Sequence, residues 1–145
     1  MRAILIASLF SLCLFADVFD VINISKAGMS VQQQKMQVIA ENIANINTSK
    51  TIGGGPYYRK SLVVKTNKKN NTPYISKVNQ SVSMMQKIYD PTNPDADVNG
   101  YVYISNGSLS GEMVDMATVR RVYEANAAVF SSAKQMAQTI MNLGK

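Results

Sequence analysis

The residues best suited to chemistry lie in the middle of the chain. Asp95, Asp97, Asn99 and Gly100 spell DADVNG, the opening of a calcium-binding EF-hand loop. That loop needs a carboxylate at its twelfth position, where this chain has Asn106. Pro91 and Pro94 stand where a helix should lead in, and the strand-like GYVYIS follows. The side chains of DPTNPDADVNG therefore read as turn formers that bond to local backbone. Gly53, Gly54 and Gly55 resemble a phosphate cradle, but Pro56 and Tyr57 follow in place of Lys-Ser/Thr. They read as a chain reversal. Tyr57, Tyr58, Arg59 and Lys60 mix aromatic and basic groups as single-strand nucleic-acid binders do. Without a second platform the cluster points instead to strand-edge or subunit packing.

The inventory excludes much else. The chain has 145 residues, no histidine and a single cysteine, Cys13. A Cys/His metal site, a histidine base and an internal disulfide are all impossible with that set. No carboxylate pair sits in a catalytic motif, so no enzyme, metal, cofactor or small-molecule substrate is expected. The net charge of +6 is concentrated partly in KTNKKNN, with Lys65, Lys68 and Lys69. Asparagine and threonine surround those lysines, which marks a solvated loop; no nucleic acid is expected as partner.

The elements that hold these residues fall into a pattern. The spacing predicts an α+β chain: long N- and C-terminal helices pairing as a coiled coil, with a small β-rich insert between them. Four segments follow: 1–16, an apolar signal-like extension; 17–50, the N-terminal helix; 51–110, the β-rich insert and its turns; and 111–145, the C-terminal helix. In the first helix Met29, Gln32, Met36, Ile39, Ile43 and Ile46 alternate in steps of three and four. Asn42, Asn45 and Asn47 crowd its end, where amides can cap the last carbonyls. In the last helix Val119, Val122, Asn126, Val129, Ala133, Met136, Ile140 and Leu143 keep the same alternation. Ser108 or Ser110 can cap its start, Glu112 and Asp115 suit the positive end of its dipole, and Gly144 suits its stop. Asn126, on the stripe, is the kind of residue that fixes register in a coiled coil. The periodicity leaves two readings open: a coiled coil between chains, and a helical hairpin within one chain. SLVVKT, PYISKV and GYVYIS read as strands.

Residues 1–16, MRAILIASLFSLCLFA, pair one arginine with an apolar run too short for a bilayer span. They read either as a secretory signal, with Ser11 and Cys13 as the small pair near a cleavage site, or as an apolar helix start that packs in an assembly.

Three ordered segments carry a family resemblance. ENIANINTSKT with GGGPYYRK, then YDPTNPDADVNGYVYI, then GEMVDMATVRRVYEAN with a terminal LGK, are together similar to the signatures of bacterial flagellar rod and hook proteins. The resemblance runs from about Ala16 to Lys145. It implies a structural subunit of the flagellar rod, without catalysis, whose terminal helices polymerise into a periplasm-crossing shaft that transmits motor torque. It implies as partners other copies of the chain, other rod and basal-body proteins from the MS-ring side adaptor to the distal rod, and the flagellar type III export apparatus. The matching positions are Asn42, Asn45, Asn47, Tyr57, Arg59, Glu112, Met113, Asp115, Tyr123 and Asn126, with Asp90, Pro91, Pro94 and Gly100 in the turn segment. Two departures stand out. Residues 1–16 extend beyond the point near Ala16 where the family pattern begins. SNGSLSGEM also replaces the usual approach to the last helix. The other reading is a secreted or periplasmic binding module with a degenerate calcium loop at 95–106.

Overall fold

A computed structural model describes the backbone of residues 2–82 and 85–143, and within these the side chains from residue 18 onward. The element order is α1 (Arg2–Ala44), β1 (Lys60–Thr66), β2 (Pro73–Gln80), β3 (Gln86–Tyr89), β4 (Tyr101–Ile104) and α2 (Leu109–Leu143). Along the chain, two long helices thus flank a small antiparallel β insert. The helical backbone of α1 begins at Arg2 and passes residues 16 and 17 without a break. The side chains that would separate a signal from a packed helix start lie outside the described residues, as does Gly144. Among the described residues no helix is long and apolar enough to cross a membrane.

The insert is two two-stranded sheets, β1–β2 and β3–β4. The turn between β1 and β2 is closed by Asn67 N–H donating to the Thr72 carbonyl at 2.9 Å, with Asn71 at a positive φ of 52°. Asn is among the few residues that adopt this conformation readily. β3 pairs with β4 from Gln86↔Ile104 to Tyr89↔Tyr101. The sequence pattern misses β3: QKIY is four residues long and exposed throughout, so it has no alternating face to read. Its pairing with β4 creates it, helped by Tyr89 and Tyr101 rings 5.2 Å apart, edge to face.

The chain divides into two compact units. One holds the described residues up to Gln33, Val64–Tyr74 and those from Arg121 onward. Its buried positions are Ser25, Gly28 and Val31 on α1, and Ala133 and Ala137 on α2. All but Val31 are small, as close helix approach requires. A Cβ on Gly28 would stand only 3.0 Å from the Asn126 amide nitrogen and 3.2 Å from its Cγ. Glycine costs a helix interior ~1 kcal/mol relative to alanine, and the nearness of Asn126 accounts for its presence.

The second unit comprises Gln34–Val63 and Ile75–Arg120. Its buried set is as polar as it is apolar: Ile39, Tyr57 and Val102 beside Asn42, Ser105 and Glu112.

The stripes read from the sequence are placed as follows. On α1, Ile39 is buried, whereas Met29, Gln32, Met36 and Ile43 are half-buried. Ile46 lies beyond the helix, in the turn after Ala44. On α2 the described inner positions are Val119, Tyr123, Asn126, Phe130, Ala133, Ala137 and Ile140, again in steps of four and three. Val122, Val129, Met136 and Leu143 flank this face and are exposed by 42%, 47%, 52% and 82%.

Replacing Gly28 by leucine tests the close approach. Gly28→Leu should destabilise the unit by about 1–3 kcal/mol, the usual cost of overpacking, despite leucine's better helix propensity. Thermal unfolding followed by circular dichroism measures it, and an unchanged or raised Tm would refute the tight contact.

Candidate functional site

Asn42 lies on the last turns of α1 and is 3% exposed. Its amide makes every hydrogen bond it can. Nδ2 donates to the Lys60 carbonyl at 2.9 Å and to Glu112 Oε2 at 3.2 Å. Oδ1 accepts from Lys60 N–H at 2.9 Å and from the Tyr57 hydroxyl at 3.0 Å. Two donors and two acceptors exhaust an asparagine side chain. Asn42 pairs with both main-chain groups of Lys60 as a neighbouring strand would, and so docks the start of β1 on the helix.

Glu112, in the first turn of α2, is the most deeply buried large side chain, at 1% exposure. An uncompensated carboxylate there would be costly. Arg59 Nε donates to Glu112 Oε1, and the same guanidinium reaches Asp115 Oδ2 at 3.2 Å. The α2 N-terminus adds its own favourable field. The backbone N–H of Glu112 is taken by the Ser108 carbonyl at 2.9 Å.

Outer bonds complete the junction. Lys60 Nζ donates to Glu41 Oε2 at 3.1 Å, which raises the lysine pKa. Tyr57 N–H donates to the Thr48 carbonyl at 3.2 Å. Burial pushes the Tyr57 hydroxyl's pKa up, against the opposing pull of Lys60. Asn106 accepts from Arg59 N–H at 3.4 Å and donates to the Ser81 carbonyl at 3.3 Å and its hydroxyl at 3.1 Å. Among the described residues no buried side-chain polar atom lacks a partner. Beside the junction lies an open groove of about 250 Å³ between α1, β1 and α2, with Val38, Ile39, Leu62 and Val119 among its lining residues.

Asn42, Tyr57, Arg59, Glu112 and Asp115 are thus brought into one network. Tyr57, expected as a subunit contact, is spent inside the chain. Asn45 caps as expected, its Nδ2 donating to the Glu41 carbonyl at 2.9 Å; Asn47 and Met113 are exposed. Sequence reasoning missed Glu41 and Asn106 as participants, and placed Lys60 only in a packing cluster. Arg59 and Lys60 facing Glu112 and Glu41 could have been guessed only from charge balance.

The acidic segment forms turns. Asp97 Oδ1 accepts from Asn99 N–H at 2.8 Å and Tyr101 N–H at 2.9 Å. Asp90 Oδ1 accepts from Thr92 N–H at 3.2 Å and from its hydroxyl at 2.7 Å. Asn93 accepts from Asp95 N–H at 3.0 Å. Among the described residues no three metal-binding side chains gather. Gly53–Gly55 form the expected reversal, with Thr51 N–H bonded to the Gly55 carbonyl at 2.8 Å.

Comparison with known proteins fits this arrangement. Residues 22–49 match a family model described as flagella basal body rod protein. Residues 98–143 match one described as flagellar basal body rod FlgEFG protein C-terminal. The flagellar basal-body rod protein FlgC of Borreliella burgdorferi is 34% identical over 141 residues, covering 81% of this chain and 91% of the relative. The chain belongs to the FlgC family of flagellar basal-body rod proteins. The FlgC proteins of Aquifex aeolicus and Bacillus subtilis are 38% and 30% identical, covering 83% and 88% of this chain and 92% and 98% of their own length. Asn42 falls within the first matched segment and Glu112 within the second of this FlgC-family chain.

Two measurements follow from this geometry. Glu112→Ala should cost about 3 kcal/mol in chemical denaturation, the low end for breaking a buried pair, because Arg59 still reaches water. A loss near zero would show that the network does not hold the unit. The Asp97 carboxyl is held below its usual pKa, chiefly by Tyr101 N–H. A depressed folded pKa gives stability above the unfolded carboxylate value that is lost as pH falls through the folded one. The protection of the Tyr101 amide against hydrogen exchange, taken relative to the intrinsic rate at each pH, should therefore fall on acidification below about pH 4. Acid-insensitive protection would contradict the bond.

Proposed function

We propose that this chain is a structural subunit of the proximal flagellar rod that assembles by burying the outer flank of α2 against its neighbours. One observation carries the reading. In a FlgC-family chain, Val122, Val129, Met136 and Leu143 recur every seven residues and remain exposed by 42–82%. The inner face of α2 is already occupied within the chain, so this column is left for other subunits. Long helices owe their stability to tertiary packing of an apolar face, and a helix with a second apolar column is built to sit between neighbours. Met29, Met36, Ile43 and Ile46, half-buried along and just beyond α1, widen the same kind of surface. The partners are other copies of the chain and other rod and basal-body proteins, after export by the flagellar type III apparatus. The subunit's part in the periplasmic drive shaft is mechanical, and no substrate or cofactor enters.

The exposure of Val129 makes the test clean. Val129→Asp places a charge where the isolated chain leaves 47% exposure, so its Tm should stay within a few degrees of wild type. Cells carrying only this variant should lose motility, and it should be missing from purified basal bodies. Wild-type motility with normal rods would refute the assembly role of this column.

A further inference from the structure

α1 and α2 run antiparallel in a fixed register. Asn42 meets Glu112; fourteen residues earlier on α1, Gly28 meets Asn126, fourteen residues later on α2. Continued at the same pace, Leu143 at the end of α2 falls level with Ser11. The helical backbone of α1 goes on to Arg2. Residues 2–10 thus reach past α2, over a length of about 13 Å at 1.5 Å per residue. The sequence of this overhang differs from the rest of α1. Among residues 3–16 only Ser8 and Ser11 are polar. They stand three apart, on one line of a helix, so every other line is apolar. From Asn23 to Gln37, by contrast, every exposed position is polar: Asn23, Lys26, Ser30, Gln33, Gln34 and Gln37. Phe19 and Val21, exposed by 52% and 38%, mark the changeover.

A helix that is apolar all round is stable only when buried all round. The run is too short to cross a bilayer, so a chain that keeps it must bury it in protein. Its own α2 can cover one side, and only from about Ser11 onward. The end of α2 has the matching excess: Val129, Met136 and Leu143, seven residues apart on one line, are exposed by 47%, 52% and 82%. The chain therefore holds an apolar segment without a cover and an apolar line without an occupant, both in the same compact unit. The segment is this chain's own. The rod family model begins at residue 22, and the Bacillus subtilis FlgC is matched over 98% of its length while covering 88% of this chain. Other rod proteins have no evident need of a surface for a segment that such relatives do without, whereas every copy of this chain carries both surfaces.

We propose that residues 2–16 stay on the mature chain and that the overhang, residues 2–10, packs along Val129, Met136 and Leu143 of a second copy. Overhang and line are different surfaces of the same chain, so the contact is head-to-tail. Such contacts propagate into open arrays rather than closing as a dimer. The proposal rests on the rod-subunit reading and names what covers the end of its α2 column.

The test has two arms. Mass spectrometry of wild-type basal bodies digested with trypsin should recover the peptide spanning residues 3–26. A chain that instead begins between Leu12 and Asp17 overturns the proposal and leaves the rod-subunit reading intact; absence of the wild-type chain from basal bodies would defeat that reading. The second arm uses a Cys13→Ser chain carrying Ile6→Cys, on the side away from Ser8 and Ser11, and Met136→Cys. Within one chain Met136 falls level with Val18, twelve residues and about 18 Å along the helix from Ile6. Disulfides form only where Cα atoms approach within about 7 Å, so any bridge joins two copies. Oxidised basal bodies from cells lacking the wild-type chain should yield a ladder in multiples of 15.9 kDa. Either cysteine alone should yield none. An incorporated pair that gives no ladder, or adducts of another mass, overturns the second-copy docking. If the pair variant is not incorporated, oxidation of the purified variant at high concentration decides, and the absence of a covalent dimer there overturns the docking equally.

Discussion

Everything in the insert-bearing unit depends on keeping one carboxylate out of water. Glu112 is 1% exposed, and an ionised group so placed is tolerated only when its charge and lone pairs are answered. Arg59 answers the charge and Asn42 the second oxygen. Those two needs fix the rest. Arg59 must follow the Gly-rich reversal closely enough to reach α2. Asn42 must stand two residues before α1 ends. Lys60 must start β1 against the Asn42 amide. A core this polar contributes less through the hydrophobic effect than an aliphatic one of equal size. What it provides is discrimination, since a slip of α1, β1 or α2 would strand several buried donors at once.

The helix pair solves a different problem in the other unit. There all the buried positions but Val31 are small, namely Ser25, Gly28, Ala133 and Ala137, residues that let backbones approach rather than fill space between them. Gly28 against Asn126 is the tightest of these meetings. Of the larger apolar side chains, Tyr123, Phe130 and Ile140 share this face half-buried, whereas Val122, Val129, Met136 and Leu143 stand exposed on its flank. A helix whose deepest line is small and whose flanks are large presents its hydrophobic mass sideways, toward whatever comes next to it.

This explains what the sequence made legible. The long end helices, the turn character of DPTNPDADVNG and three of the four strands follow from local pattern. The stripes do not follow as cleanly, because the reading weighted Met36, Val122 and Val129 by hydrophobicity while the packing selects Gly28 and Ala137 by size. Both readings share Val119, Asn126, Ala133 and Ile140 on α2 and part on the column beside them. β3 was invisible because its structure comes from its partner. Asn42, Tyr57, Arg59 and Glu112 stood out as a family signature, yet their mutual bonding did not. Asn42 and Glu112 are 70 residues apart in sequence, and no local propensity carries information across such a distance.

The reversal at Gly53–Gly55 has a consequence of its own. It is clamped at its base, with Thr48 bonded to Tyr57 and Thr51 to Gly55. Gly54 and Gly55 turn at φ of 79° and 77° with nothing within 4 Å of a would-be Cβ. Their demand is on backbone conformation alone, and the closure entropy of a clamped loop rises only slowly with its length. The loop is therefore the place where the chain tolerates added sequence, whether a natural insertion or a grafted reporter peptide, without disturbing the buried carboxylate below it.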